Sequence, residues 1–303
     1  MSLLKDTVPS LGRASGLGLA IGLVLIGVVA APTLASSQEM AGTGHQGWTF
    51  AGIYGHFDRA QLQRGFRVYK EVCSSCHSMR QLKFRNLGEP GGPEFPEAAV
   101  KALAAEVEID DIGDDGQPKA RPGRPSDAFK SPFANEQAAR FANNGALPPD
   151  LSVIAKARAA HAETDWYLEP VRWVKDIATG YQEGGPDYVH GVLTGYLDAV
   201  PAGMETEEKE PFVLAEGMSF NLAFPGHQIA MIKPLVDGQV EYTDGSPPTV
   251  DQYAKDVASF LMWAAEPKLE ERKKLGLRVM IFLLVTAVLF YLAKRMMWSR
   301  IGH

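Results

Sequence analysis

Apolar residues follow two different patterns along this chain. Residues 16–31 are apolar throughout, and residues 279–293 form a second, largely apolar run without a charge near the other end. Between them, apolar positions recur at helical spacing. Leu62, Phe66, Tyr69 and Cys73 lie four, three and four residues apart, which predicts a helix capped by Asp58 and running towards Val72. Val250, Tyr253, Val257, Leu261 and Ala264 predict a second helix. It starts at Thr249, where Thr249 and Gln252 match a capping box, and stops before Pro267. Two amphipathic helices bracketing the central region predict one mainly α domain with its ends packed together. Residues 116–133 hold four prolines and read as an irregular connection, while 159–185, with Trp166, Tyr167, Val171, Trp173 and Val174, reads as a helical insertion.

The two apolar runs differ in kind. Lys5 and Arg13 precede the first, and Thr33-Leu34-Ala35 follows it with small residues, as in a secretory signal peptide over 1–35. The second run holds 15 residues and would span about 22 Å, short of the roughly 30 Å hydrocarbon core. Leu275 and Leu277 upstream and Met296, Met297 and Trp298 downstream make up the difference, with Arg278 and Lys294 able to snorkel. A single transmembrane anchor is expected over 275–298, with 299–303 as a cytoplasmic tail. Basic residues on both flanks leave orientation open. The export signal fixes it: region 36–274 lies outside the cytoplasm, on the periplasmic side of the inner (cell) membrane.

Composition narrows the function. With 303 residues, 46% hydrophobic and 22% charged, the chain can bury a core, and wholesale disorder is excluded. Only two cysteines are present, so it is no disulfide scaffold. A net charge of -6 argues against nucleic acid as a partner. Acidic residues cluster twice: Glu106, Glu108, Asp110, Asp111, Asp114 and Asp115, then Glu205, Glu207, Glu208 and Glu210. Either run serves as a solvated loop or as an electrostatic funnel for a basic protein.

The chemistry sits in Cys73-Ser74-Ser75-Cys76-His77, the C-x-x-C-H signature of covalent haem c attachment. Two intervening residues let both thiols reach the two vinyl groups of haem, and the next residue offers its imidazole to the iron from the same side. Zinc would need further ligands of the same kind, and no other cysteine exists. A thioredoxin-type motif expects a preceding strand, whereas a helix is predicted here. A thioether as sixth ligand would suit a high-potential electron carrier. Met79 is too close to His77 to reach the opposite face, and Met262 reads as packing. Met204, Met218 and Met231 stay open on physical grounds.

Cys73 to Met79 (CSSCHSM) after Arg64-Gly65-Phe66-Arg67-Val68-Tyr69-Lys70 resembles cytochrome c1, the haem c subunit of the bc1 complex, in its bacterial form. So do residues 142–152 (ANNGALPPDLS), 224–231 (FPGHQIAM) and 256–267 (DVASFLMWAAEP), and the likeness runs from about Trp48 to the C-terminus. It implies a class I cytochrome c-like haem domain with insertions, holding one haem c. His77 and Met231 would be the axial ligands, with Arg158 and Tyr188 near the haem propionates. The implied function is the electron-transfer subunit of ubiquinol–cytochrome c reductase, carrying electrons from the Rieske iron–sulfur subunit to a cytochrome c, beside cytochrome b. The subunit itself would do no acid–base or nucleophilic catalysis. In the family a similarly acidic stretch precedes the Arg121-Pro122-Gly123 segment, which favours the first acidic run for docking. Two rival readings use the same residues: a free-standing, membrane-anchored cytochrome c, and a periplasmic thiol–disulfide enzyme acting through Cys73 and Cys76.

Overall fold

The computed structural model of the chain describes residues 46–113, 115–158, 167–168, 170–171, 174–175, 184–204 and 211–299. The expected signal peptide, most of the 159–185 insertion, Asp114 and the acidic run at 205–210 lie outside the described residues.

The first helix, α1 (Arg59–Glu71), starts where expected. The Asp58 carboxylate accepts from the Ala60 and Gln61 N–H groups at 2.9 and 3.3 Å, satisfying donors that a helix start leaves unpaired. Its buried face carries Leu62, Gly65, Phe66, Val68 and Tyr69. That face meets the long helix near the end of the domain, here α6 (Val250–Ala265). Contact is closest at Gly65, where a Cβ would fall 2.1 Å from the Asp256 carbonyl oxygen, so any side chain there would force the helices apart. Leu62, Tyr253, Phe260, Met262 and Trp263 fill the core around this crossing. The expected capping box of α6 is only half formed. Thr249 accepts from the Gln252 N–H, but the Thr249 N–H already donates to Pro247, and the Gln252 side chain turns forward to Asp256.

Between these helices come α2 (Glu97–Ala105), β1 (Glu108–Ile112), β2 (Pro118–Pro122), α3 (Glu136–Ala142), α4 (Ile154–Ala157) and α5 (Gly184–Thr194). Strands β1 and β2 form an antiparallel hairpin, with Glu108 opposite Pro122 and Ile112 opposite Pro118. The proline-rich stretch from residue 116 is thus not wholly irregular. Proline is tolerated at both ends of β2 because a two-stranded ribbon has only edges. A second pair, β3 (Ser219–Phe220) and β4 (Gln228–Ile229), brackets the turn Pro225–His227.

The last helix, α7 (Leu269–Trp298), runs for 30 residues, about 45 Å, and begins upstream of the expected residue 275. Its first turn belongs to the domain: Glu270 accepts from Arg59 at 2.8 and 3.0 Å and from the Phe57 N–H at 2.9 Å. Beyond that turn, its most apolar window has a mean hydropathy of 2.3 and none of it is buried. By length and composition this helix is able to cross a membrane.

Candidate functional site

Helix α1 ends at Glu71, and the chain tightens at once into the 3-10 turn Cys73–Ser75. The Cys76 and His77 N–H groups donate to the Cys73 carbonyl at 3.2 and 2.9 Å, placing both cysteines and the histidine on one turn. Ser74 and Ser75 donate through their hydroxyls to the Lys70 and Val72 carbonyls at 2.7 and 2.8 Å, so the last carbonyls of the helix find partners. This explains two serines between the cysteines. Both thiols are unbridged, with Cys73 half-buried against the core and Cys76 exposed. Burial, and then the charge of Cys76, pushes the Cys73 thiol up to about 12. A thiol–disulfide enzyme needs the opposite, an acidified thiolate. Among the described residues no group of three or more His, Cys, Asp or Glu side chains could hold a metal ion.

His77 is fixed from its far nitrogen. Nδ1 donates to the Pro149 carbonyl at 2.9 Å, which leaves the Nε2 lone pair for a metal. Burial lowers the pKa of this ring, against the opposing pull of the Pro149 carbonyl and Asp150, so the imidazole stays neutral and able to ligate. The loop that supplies Pro149 is tied down by Asp150. Its carboxylate accepts from the Ser78 hydroxyl at 2.8 Å, the Arg80 N–H at 3.0 Å and the Ser152 N–H at 2.9 Å. Burial opposes its ionisation, yet these donors hold the carboxyl down to about 2. Asp150 was not singled out from the sequence. Its only signal was an Asp two residues before Ser152, an Asx-turn pattern.

The surroundings suit a porphyrin. Phe141, Leu147 and Val153, on the segment that carries Pro149, expose apolar side chains. Helix α5 approaches α4 so closely that a Cβ on Gly185 would meet the Ala155 carbonyl at 1.5 Å. That approach brings the two expected propionate partners into electrostatic reach. Burial raises the pKa of the Tyr188 phenol, and the exposed Arg158 guanidinium pulls it back. Met231 follows β4, is half-buried, and packs against both apolar clusters, the main core and a smaller one of Tyr188, Val192, Tyr196, Ala223 and Ile229. Of the other methionines, Met79 and Met262 lie within the core, Met218 is exposed and Met204 half-buried. The donor set of two thiols, a pinned imidazole and a thioether fits covalent haem c.

Comparison with known proteins gives the same direction. The Cytochrome C1 family matches residues 48–301. The chain is 48% identical to "Cytochrome b/c1" of Bradyrhizobium diazoefficiens, over 98% of this chain but only 42% of that longer protein. It is 44% identical to "Cytochrome c1" of Blastochloris viridis, over 91% of this chain and 94% of the relative. A third relative, "Cytochrome b-c1 complex catalytic subunit, mitochondrial" of Candida albicans, is 43% identical over 84% of this chain and 77% of its own length.

Proposed function

The chain belongs to the cytochrome c1 family, and from that premise we propose that it is the haem c subunit of a quinol–cytochrome c reductase, taking electrons from a Rieske iron–sulfur partner and delivering them to a cytochrome c. Cys73 and Cys76 serve as the attachment points, His77 and Met231 as the axial ligands, and Arg158 and Tyr188 as propionate partners. Bound there, haem c supplies a one-electron relay. The chain's own residues bind and orient it and exclude water. The observation that carries this reading is the His77 imidazole, pinned by Pro149 on the same turn as two unbridged thiols.

Helix α7 anchors the subunit, with domain 36–274 on the periplasmic side and cytochrome b and the Rieske protein as membrane neighbours. Hairpin β1–β2 is the docking surface for a basic cytochrome c. Within its acidic run, Glu106 pairs with Lys70 at 2.6 Å and Asp111 with Arg121, so their charge is partly spent inside the chain. Asp110, 90% exposed and only loosely paired with Lys130 at 3.8 Å, and the exposed Glu108 and Asp115 are left to steer a partner. Solubilisation of the membrane in mild detergent and purification through a tag on this chain tests the assignment. A b-type cytochrome and a Rieske iron–sulfur centre should co-purify in fixed ratio. Recovery of this chain alone with its haem would instead favour the free-standing cytochrome.

A further inference from the structure

Met231 sits on a segment with little regular structure, 221–231, whose only strand is the two residues of β4. Such a segment needs outside support to hold one side chain still. The support is a buried polar hub. Asn221 is fully buried, and its side chain donates to the Val192 carbonyl at 2.8 Å while accepting from the Ala223 and Phe224 N–H groups at 3.0 and 3.1 Å. Its main chain accepts from His227 and bridges to Tyr196. These bonds bend the segment around Gly226, whose φ of 73° favours glycine. They stop short of Met231. Among the described residues one hydrogen bond reaches it: the Tyr196 hydroxyl, 8% exposed, donates to the Met231 carbonyl at 3.0 Å.

We infer that Tyr196 is a positioning residue for the Met231 thioether, holding its main chain so that the sulfur stays on the iron when partners dock and leave. The inference rests on Met231 being an axial ligand. Nothing in the sequence pattern links Tyr196 to residue 231. The ring packs in the small cluster with Tyr188, Val192, Ala223 and Ile229, so the phenol enters from a rigid wall.

Tyr196→Phe keeps that packing and removes only the bond. The readout is carbon monoxide combining with the reduced haem-loaded protein, because CO binds iron only while the thioether is off. Loss of one net hydrogen bond should raise the thioether-off population, and with it the CO combination rate, roughly fivefold. The far-red charge-transfer band of thioether-ligated ferric haem should weaken in parallel. Val192→Ala is the comparator: it loosens the same cluster, lowers thermal stability, and should leave the CO rate within about twofold. An unchanged CO rate in Tyr196→Phe, or an equal rise in Val192→Ala, overturns the positioning role. Met231→Lys separates the premise. If that variant keeps the wild-type band and CO rate, Met231 is not the ligand; if it loses the band while Tyr196→Phe changes nothing, only the inference about Tyr196 fails.

Discussion

Removing the Arg64 guanidinium should unfold the domain at markedly lower temperature. Its Nε and Nη2 donate to both oxygens of Asp256 at 2.9 and 3.2 Å, and Nη1 donates to Asp244 at 2.7 Å. The guanidinium also lies 5.8 Å from the centroid of the Tyr242 ring. The Asp256 side chain is 0% exposed and that of Arg64 16%. Burial disfavours the guanidinium charge, but the pairing outweighs it and raises its pKa. Arg64→Met keeps much of the stem volume and leaves Asp256 as a buried carboxylate with no cationic partner, only neutral donors such as Gln252. Breaking a buried pair from one side costs about 3–5 kcal/mol. For a domain of this size each kcal/mol moves the midpoint by about 2–4 °C, so Tm should fall by roughly 6–20 °C. The assay is thermal unfolding of the haem-loaded protein, followed by far-ultraviolet circular dichroism and by haem absorbance. Arg64→Met/Asp256→Asn removes both charges and should recover most of the loss. A fall of less than about 2 °C in the single variant would refute the reasoning. So would a double variant as unstable as the single one.

Asp150 gives a pH-dependent outcome. Its folded pKa of about 2 lies below the ordinary 3.8, so its contribution is full above 3.8 and is lost as pH falls towards 2. Asp150→Asn should make the acid limb of a stability–pH curve shallower, while Asp127 and Asp244, also held to about 2, keep their share. Termination of the chain after Lys274 should release a soluble domain with an unchanged haem spectrum, because Glu270 and its bonds to Arg59 stay in place. Retention of that product in salt-washed membranes would reveal a second anchor. Asp110→Asn/Asp115→Asn should slow reduction of a basic cytochrome c and flatten its dependence on ionic strength. Stopped-flow mixing across a salt series checks it, and an intact salt dependence would place docking elsewhere.

Local signals were legible in the sequence. The α1 and α6 helices follow from apolar spacing and from the Asp58 and Thr249 caps, and the C-x-x-C-H turn lies where a helix must end. The long apolar helix α7 is equally local, an apolar run between basic flanks. Partners distant in sequence were not legible. The Pro149 carbonyl that fixes His77 is 72 residues away, and the Tyr196 hydroxyl lies 35 residues from Met231. Neither pairing leaves a periodic trace, because a carbonyl or a phenol is common to many neutral environments. The β1–β2 hairpin was hidden for another reason: its prolines read as breakers, and only edge pairing makes them harmless.

Acid–acetone extraction of the denatured polypeptide, followed by the reduced absorption spectrum of what stays with the chain, tests the haem assignment most directly. Haem joined through Cys73 and Cys76 should remain with the wild-type polypeptide and show c-type absorbance. The double variant Cys73→Ala/Cys76→Ala should retain none. Haem that extracts completely from the wild-type chain, or that stays bound in the double variant, would contradict the attachment at this turn.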